Sequence, residues 1–154
     1  MSKFKNIFLF SIIFLIIDQV IKIVLSSKMI VNQTFVIIKK FFTITLVHNT
    51  GAAFSILKDS GLLLIIIGIV ALIGIIIYIK KLEKVDYIDT FIYSLLIGGI
   101  LGNLIDRVIH GYVIDYLSFN IGKYYFPIFN FADICIVISI LIIVIRMIKE
   151  DLWR

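Results

Sequence analysis

Four long apolar runs, at about 4–25, 61–79, 87–105 and 131–148, constrain this chain more than any other feature of it. A helix rises roughly 1.5 Å per residue, so about 20 apolar residues match a hydrocarbon core of about 30 Å. Each run is about that long. Charged residues make up only 16% of the sequence, against about 25% in soluble domains. Mean hydropathy is +1.16. A soluble globule has nowhere to put so much apolar surface, so the chain reads as an integral membrane protein. Its 154 residues suggest one polytopic domain, 1–154. The net charge of +5 does not indicate a nucleic-acid partner, because the basic residues flank the apolar runs and form no continuous face.

The first run begins after Lys3 and Lys5, as a secretory signal would. No small-x-small cleavage site follows, so a retained helix is expected. It carries Asp18, Gln19 and Lys22. Asp18 lies about 21 Å along the helix from Phe4, deep in the far half of a bilayer. Asp18 and Lys22 are four residues apart and share a helix face, which favours an ion pair docking this helix over direct catalysis. The segment 26–60 is too long for a turn. Within it, Phe42-Thr43-Ile44-Thr45-Leu46-Val47 alternates with the period of a strand, so a short strand or hairpin is expected. His48-Asn49-Thr50-Gly51-Ala52-Ala53-Phe54 then reads as a turn, or as a loop presenting Asn49 to an extended ligand. The sequon Asn32-Gln33-Thr34 stands alone and carries no weight. Gly98, Gly99 and Gly102 in the third run would let a neighbouring helix or a substrate come close. Cys135 reads as a small hydrophobe, with no basic neighbour to activate it. Trp153-Arg154 suits a membrane interface.

Lys3, Lys5, Lys80, Lys81, Lys84, Arg146, Lys149 and Arg154 flank one side of the four runs. Lys28, Lys39, Lys40, Lys58, Arg107 and Lys123 are fewer and spread over longer connections. The positive-inside rule then sets both termini in the cytoplasm and turns the 26–60 and 107–130 segments outward.

This topology brings Asp18, Lys22, Asp106, Arg107, Asp115 and Asp133 to one membrane boundary. Acidic groups are costly there and mark a functional site. Two close carboxylates do not both ionise readily, which supplies an acid and a base able to activate water against a peptide carbonyl. If Asn130 caps the last helix, Asp133 is its third residue and faces the positive end of the helix dipole. The same spacing is also that of a plain capping box. The residues alone leave the working pair open between Asp115 with Asp133 and Asp106 with Asp133, although Arg107 beside Asp106 suggests an anchor. Metal chemistry is disfavoured, since His48 and His110 lie on different loops without ligand spacing. Ser118 and Lys123 offer no dry serine–lysine site. A proton-coupled transporter subunit is the alternative, because membrane aspartates also relay protons. The carboxylates, however, gather at one face and trace no path across.

Asp18-Gln19-x-x-Lys22, Asn49-x-Gly51-x-x-Phe54, Gly98-Gly99-x-x-Gly102-Asn103-x-x-Asp106-Arg107, Val113-Ile114-Asp115-Tyr116 and Phe129-Asn130-x-Ala132-Asp133 together resemble, in order and spacing, the bacterial lipoprotein signal peptidase family (signal peptidase II). The resemblance covers nearly the whole chain. It implies an all-α integral membrane fold: four transmembrane helices with a small extracytoplasmic β-cradle and loop region, including a short interfacial helix in 26–60. It implies a multi-pass aspartic endopeptidase of the bacterial plasma membrane, with cytoplasmic termini and an active site at the outer face. Its substrates would be diacylglyceryl-modified prolipoproteins, cut just before the lipidated cysteine with no cofactor. Membrane lipid would be a further partner, and globomycin-type cyclic peptides would be inhibitors. Carried over by motif, the catalytic pair falls on Asp115 and Asp133. Asp18, Lys22, Asn49, Gly51, Asn103, Asp106, Arg107 and Asn130 fall on supporting or substrate-contacting positions. Tyr116 stands where the family often has Phe.

Overall fold

The computed structural model describes residues 2–51, 57–122 and 124–152. Ala52, Ala53, Phe54, Lys123, Trp153 and Arg154 lie outside the described residues, as do the side chains of Lys3, Glu150 and Asp151.

The apolar runs form α1 (Ser2–Lys28), α2 (Gly61–Lys81), α3 (Tyr87–His110) and α4 (Phe131–Leu152). Among the described residues, four helices are long and apolar enough to cross a membrane. The chain between them supplies β1 (Thr34–Ile38), β2 (Phe42–Asn49), β3 (Val113–Ile121) and β4 (Tyr124–Tyr125). They form one antiparallel sheet in the order β1-β2-β3-β4. The architecture is thus the expected four-helix membrane fold with a small sheet. Among the described residues of 26–60, beyond the end of α1, no interfacial helix is present. The described residues there form a hairpin and turns, and residues 52–56 lie outside them.

α3 is the hub, packed on α1, α4 and α2. Half of its apolar window is buried, against 11% for α2, so α2 is a peripheral helix with most of its surface left for lipid. The hub position follows from three small residues. A Cβ on Gly98 would stand 2.8 Å from the Ser11 carbonyl oxygen of α1, and one on Gly99 would stand 2.6 Å from the Ala132 carbonyl oxygen of α4. A Cβ on Gly102 would meet the Asp18 carboxylate. These glycines admit neighbouring helices, and the space is not open to a substrate. With no hydrophobic drive between helices in lipid, such close van der Waals contact is what holds them.

Two of the α3 boundaries differ in character. At its start Asp86 and Asp89 form a capping box: the Asp89 N–H donates to Asp86 Oδ1 at 2.7 Å, and the Asp86 N–H to Asp89 Oδ2 at 3.2 Å. Arg146 of α4 pairs with Asp89 at 2.8 Å and with Asp86 at 3.3 Å, joining the two helices at this end. At its finish α3 continues past 105 to His110 and stops at Gly111, whose φ of 80° closes a left-handed C-cap. Asp106 and Arg107 therefore lie inside the helix, not at its tip.

The sheet reaches further than the alternating stretch at 42–47. Its central strand β3 lies in the segment after α3 that hydropathy marks only as a connection. β2 pairs with it in a register that sets Val47 opposite Asp115 and Asn49 opposite Val113. Side chains alternate faces along a strand, so Asn49 and Asp115 emerge on the same face. Beyond β4 the chain turns back, and Phe129 bridges to Leu117 through N–H···O bonds of 2.8 and 3.1 Å. That bridge delivers Asn130 and the first turn of α4 to the same place. Met29, Leu46 and Ile114 form a small core beneath the sheet, while Ile7, Ile79 and Tyr93 form another at the opposite end of the bundle.

Candidate active site

Two polar layers stack at the sheet end of the bundle. The deeper one is built on α1 and α3. Lys22, 1% exposed, pairs with Asp18 at 2.8 Å and with Asp106 at 2.9 Å, and donates to Asn103 Oδ1 at 3.2 Å. An ammonium group has three donors, so these contacts satisfy it fully. Asp106 also accepts from Gln19 Nε2 at 2.9 Å and from the Ile114 N–H at 3.0 Å. The i, i+4 pairing of Asp18 and Lys22 read from the sequence is present. The anchoring partner of Asp106 differs from expectation: it is Lys22 of α1, not the adjacent Arg107. Successive helical residues diverge by about 100°, and Arg107 instead donates to the Gly51 carbonyl at 3.0 Å. It thereby holds the end of β2 against α3. Gln19, named in the sequence motif but given no role there, is a part of this layer. Its signal was its place beside Asp18 in an apolar helix, where an amide needs a partner.

The upper layer holds Asp115 and Asp133. Asn49 Nδ2 donates to Asp115 Oδ2 at 2.8 Å, and Asn130 Nδ2 to Asp115 Oδ1 at 2.7 Å. Asn103 Nδ2 donates to Asp133 Oδ1 at 2.7 Å. Asn130 Nδ2 also reaches Asn103 Oδ1 at 3.0 Å, so two amides link the carboxylates. The spacing of Asn130 and Asp133 does produce a capping box. The Asp133 N–H donates to Asn130 Oδ1 at 3.0 Å, and the Asn130 N–H to Asp133 Oδ2 at 3.1 Å. Other first-turn donors of α4 are also occupied: Phe131 N–H by Tyr116 Oη at 3.1 Å and Ala132 N–H by Asp18 Oδ1 at 3.0 Å. The helix N-terminus is therefore used for building the site and is not free to receive a ligand anion.

Each oxygen of Asp115 and Asp133 accepts one protein donor, which leaves each a further lone pair. Both residues line a cavity of 590 Å³, with Asn49, Asn103 and Arg107 on its polar side. Ile134, Val137 and Ile138 of α4 form an apolar wall facing them. Asp115 and Asn49 also border a second space of 430 Å³ beside His48 and Gly51. Asp106 lines neither. Burial, and secondarily the charge of Asp133, push the Asp115 carboxyl up to about 7 from 3.8, against the lowering effect of its bonds from Asn49 and Asn130. His48 and His110, which sequence places on different segments, both stack with the Tyr112 ring, at 3.8 and 5.6 Å between centroids. Among the described residues no three His, Cys, Asp or Glu side chains are grouped to hold a metal ion. A carboxyl raised to about 7 beside a second carboxylate, in a cavity with an apolar wall, has the chemistry for general acid–base work.

Residues 10–149 match the family model described as signal peptidase (SPase) II. The lipoprotein signal peptidase of Staphylococcus haemolyticus is 39% identical over 140 residues, which cover 91% of this chain and 89% of that protein. The lipoprotein signal peptidase of Clostridium tetani is 38% identical over 138 residues, covering 89% and 88%. Two solved bacterial membrane enzymes have the same architecture. One superposes with a TM-score of 0.88 at 35% identity, covering 96% of this chain and 90% of its own. The other gives 0.84 at 36% identity, covering 95% and 94%. The chain belongs to the signal peptidase II family, the lipoprotein signal peptidases.

Proposed function

We propose that this protein is an intramembrane aspartic endopeptidase that cleaves diacylglyceryl-modified prolipoproteins just before the lipidated cysteine, with Asp115 and Asp133 as the catalytic pair. Family membership makes it a multi-pass bacterial membrane peptidase that processes prolipoproteins. The aspartic mechanism is carried by one observation: Asp115 and Asp133 border a single cavity and are joined by the amides of Asn130 and Asn103.

Asp133 is assigned the base role, and Asp115, whose carboxyl is pushed up to about 7, the acid role. Asp133 takes a proton from water as its oxygen bonds to the scissile carbonyl carbon, while Asp115 donates its proton to the carbonyl oxygen. The tetrahedral intermediate then collapses. The C–N bond breaks, and the amide nitrogen takes the proton held on Asp133. The intermediate's hydroxyl proton returns to Asp115. The products are the signal peptide with a free carboxylate and the mature lipoprotein with a free α-amino group. No cofactor enters this balance.

The surrounding residues receive supporting roles. Asp18, Lys22 and Asp106 anchor α1 to α3, Asn49 and Asn130 hold Asp115, and Arg107 holds the Gly51 carbonyl at the cavity edge. The apolar wall of α4 suits the lipid-modified end of the substrate, which meets the site without leaving the bilayer. A globomycin-type cyclic peptide would occupy the same cavity and block it. The reading is tested with purified protein and a lipidated precursor. Asp115→Asn and Asp133→Asn should each insert and fold yet lower cleavage by 10³-fold or more, about the loss expected when a member of an acid–base pair is removed. Normal cleavage by either variant would reject the pair.

A further inference from the structure

Asn103 joins the buried Lys22 of the deeper layer to the Asp133 carboxylate of the upper one. Its Oδ1 accepts from Lys22 Nζ at 3.2 Å and from Asn130 Nδ2 at 3.0 Å, and its Nδ2 donates to Asp133 Oδ1 at 2.7 Å. A planar amide has an acceptor end and a donor end, and rotating it by 180° exchanges them. Lys22 has only donors to offer, so the end of Asn103 beside it must be the oxygen. The rotated amide would set its NH2 against an ammonium and another NH2, and its oxygen against a carboxylate. Asn130 is fixed in the same way, because its Oδ1 receives the Asp133 N–H at 3.0 Å. Lys22 and the Asp133 backbone N–H thus commit one amide hydrogen to each aspartate carboxyl.

We infer that Asn103 is a positioning residue for Asp133, and that the buried Lys22 acts on the reaction through it by fixing the direction of the amide. This rests on the aspartic reading above. The Lys22 layer would otherwise be only an anchor that ties α1 to α3 and to the first turn of α4. Through Asn103 it becomes part of what readies Asp133. An amide whose oxygen is held by a cation is also the stronger donor at its nitrogen.

Two variants test the assignment. Asn103→Asp keeps the size and both acceptor contacts, to Lys22 and Asn130, but turns an oxygen toward Asp133. Lys22→Met/Asp106→Asn removes the cation together with one of its two carboxylates, so the net charge of the buried layer is unchanged. The readouts are thermal stability in detergent, kcat and KM for a lipidated precursor, and the pH profile of kcat. The charged or titratable neighbours of the pair remain in place in Asn103→Asp: Asp18 and Lys22 on α1, His48 on β2, and Lys58 at the edge of the second cavity. Asp106 and Arg107 on α3, Tyr116 on β3 and Cys135 on α4 likewise remain.

Asn103→Asp is expected to fold and to lose on the order of 100-fold in kcat with KM little changed, as when one preorganised donor is removed. Its residual activity should peak at lower pH than wild type, because only the protonated form of the introduced carboxyl can donate to Asp133. The double variant should lose on the order of 10- to 100-fold in kcat, by analogy with the loss of an outer partner that orients a metal ligand. Wild-type kcat in either folded variant overturns the assignment. So does a lower kcat in Asn103→Asp with the pH optimum in place, which would leave Asn103 a packing role. If the double variant does not fold, Asn103→Asp decides alone. Asp115→Asn and Asp133→Asn, run in the same assay, separate the two levels: activity in either rejects the aspartic reading itself.

Discussion

Asp115 is the residue whose environment most directly sets how the protein responds to pH. Its carboxyl stands at about 7 against 3.8 in the free side chain, because burial and the neighbouring Asp133 disfavour its charge. If Asp115 supplies the catalytic proton, kcat/KM should fall as pH rises through about 7, and a pH–rate profile of precursor cleavage measures this. A flat profile from pH 6 to 9 would contradict the acid role. The same shift has a consequence for stability. A raised acid pKa means that the folded protein binds more protons than the unfolded chain between the two values. The cost of Asp115 to the fold therefore grows from pH 4 to 7 and is constant above. Asp115→Asn removes that cost. Its Tm relative to wild type should increase across this window, in scans at pH 5 and pH 8, whatever constant offset the lost bond to Asn49 or Asn130 imposes. The carboxyl itself was legible in the sequence as one of several at a membrane boundary. The choice of Asp115 over Asp106 beside Asp133 was not: both are close in sequence to the end of α3. Which of them reaches the cavity depends on the β2–β3 register and the Leu117–Phe129 bridge. Both are pairings between distant segments, and no local pattern encodes them.

At the scale of elements, the glycines of α3 convert sequence into packing. Gly99→Ala would press a methyl group to 2.6 Å from the Ala132 carbonyl oxygen and 2.9 Å from Ile136. The first of these is backbone in the turn that carries Asp133, so the clash is relieved only by moving α4. A loss of about 1–3 kcal/mol is expected for such overpacking, together with impaired cleavage as Asp133 shifts. Gly74→Ala, on the peripheral α2, meets nothing within 4 Å and should be neutral or gain about 0.5–1 kcal/mol from helix propensity. Thermal unfolding of the two variants in detergent makes the comparison. An equally stable, equally active Gly99→Ala would show that α3 and α4 tolerate separation. The four helices themselves were readable from hydropathy alone, because length and apolarity are local properties. The end of α3 was not. Hydropathy falls at Asp106, yet the helix runs on for another turn, since Asp106 turns inward to Lys22 and the C-cap waits for Gly111. β3 was missed for a related reason: its strand character is supplied by β2, which lies before two intervening helices.

Across the whole molecule, charge is distributed unevenly between the two ends of the bundle. At the sheet end, Asp18, Lys22 and Asp106 are buried and mutually paired, while the cavity collects Asp115, Asp133 and Arg107. At the opposite end, basic residues lie at the end of α2, at Lys80 and Lys81, at Lys84 in the short link to α3, and along the end of α4. Short basic links are retained on the cytoplasmic side during insertion, whereas charges in long connections weigh little. The expected orientation therefore has the sheet and the cavity outside and the α2–α3 link inside. It also places the cavity beside the outer leaflet, where a lipidated cysteine at a membrane boundary would be held by its acyl chains. Single cysteines at Lys39, in the β1–β2 turn, and at Lys84, in the α2–α3 link, test it in a Cys135→Ser background. Both positions are exposed and lie on connections at opposite ends. In intact cells a membrane-impermeant maleimide should label Lys39→Cys and spare Lys84→Cys until the membrane is permeabilised. The reverse pattern would turn the cavity toward the cytoplasm. The apolar wall of α4 would then face the inner leaflet, and cleavage of a precursor at the outer surface would need a different site.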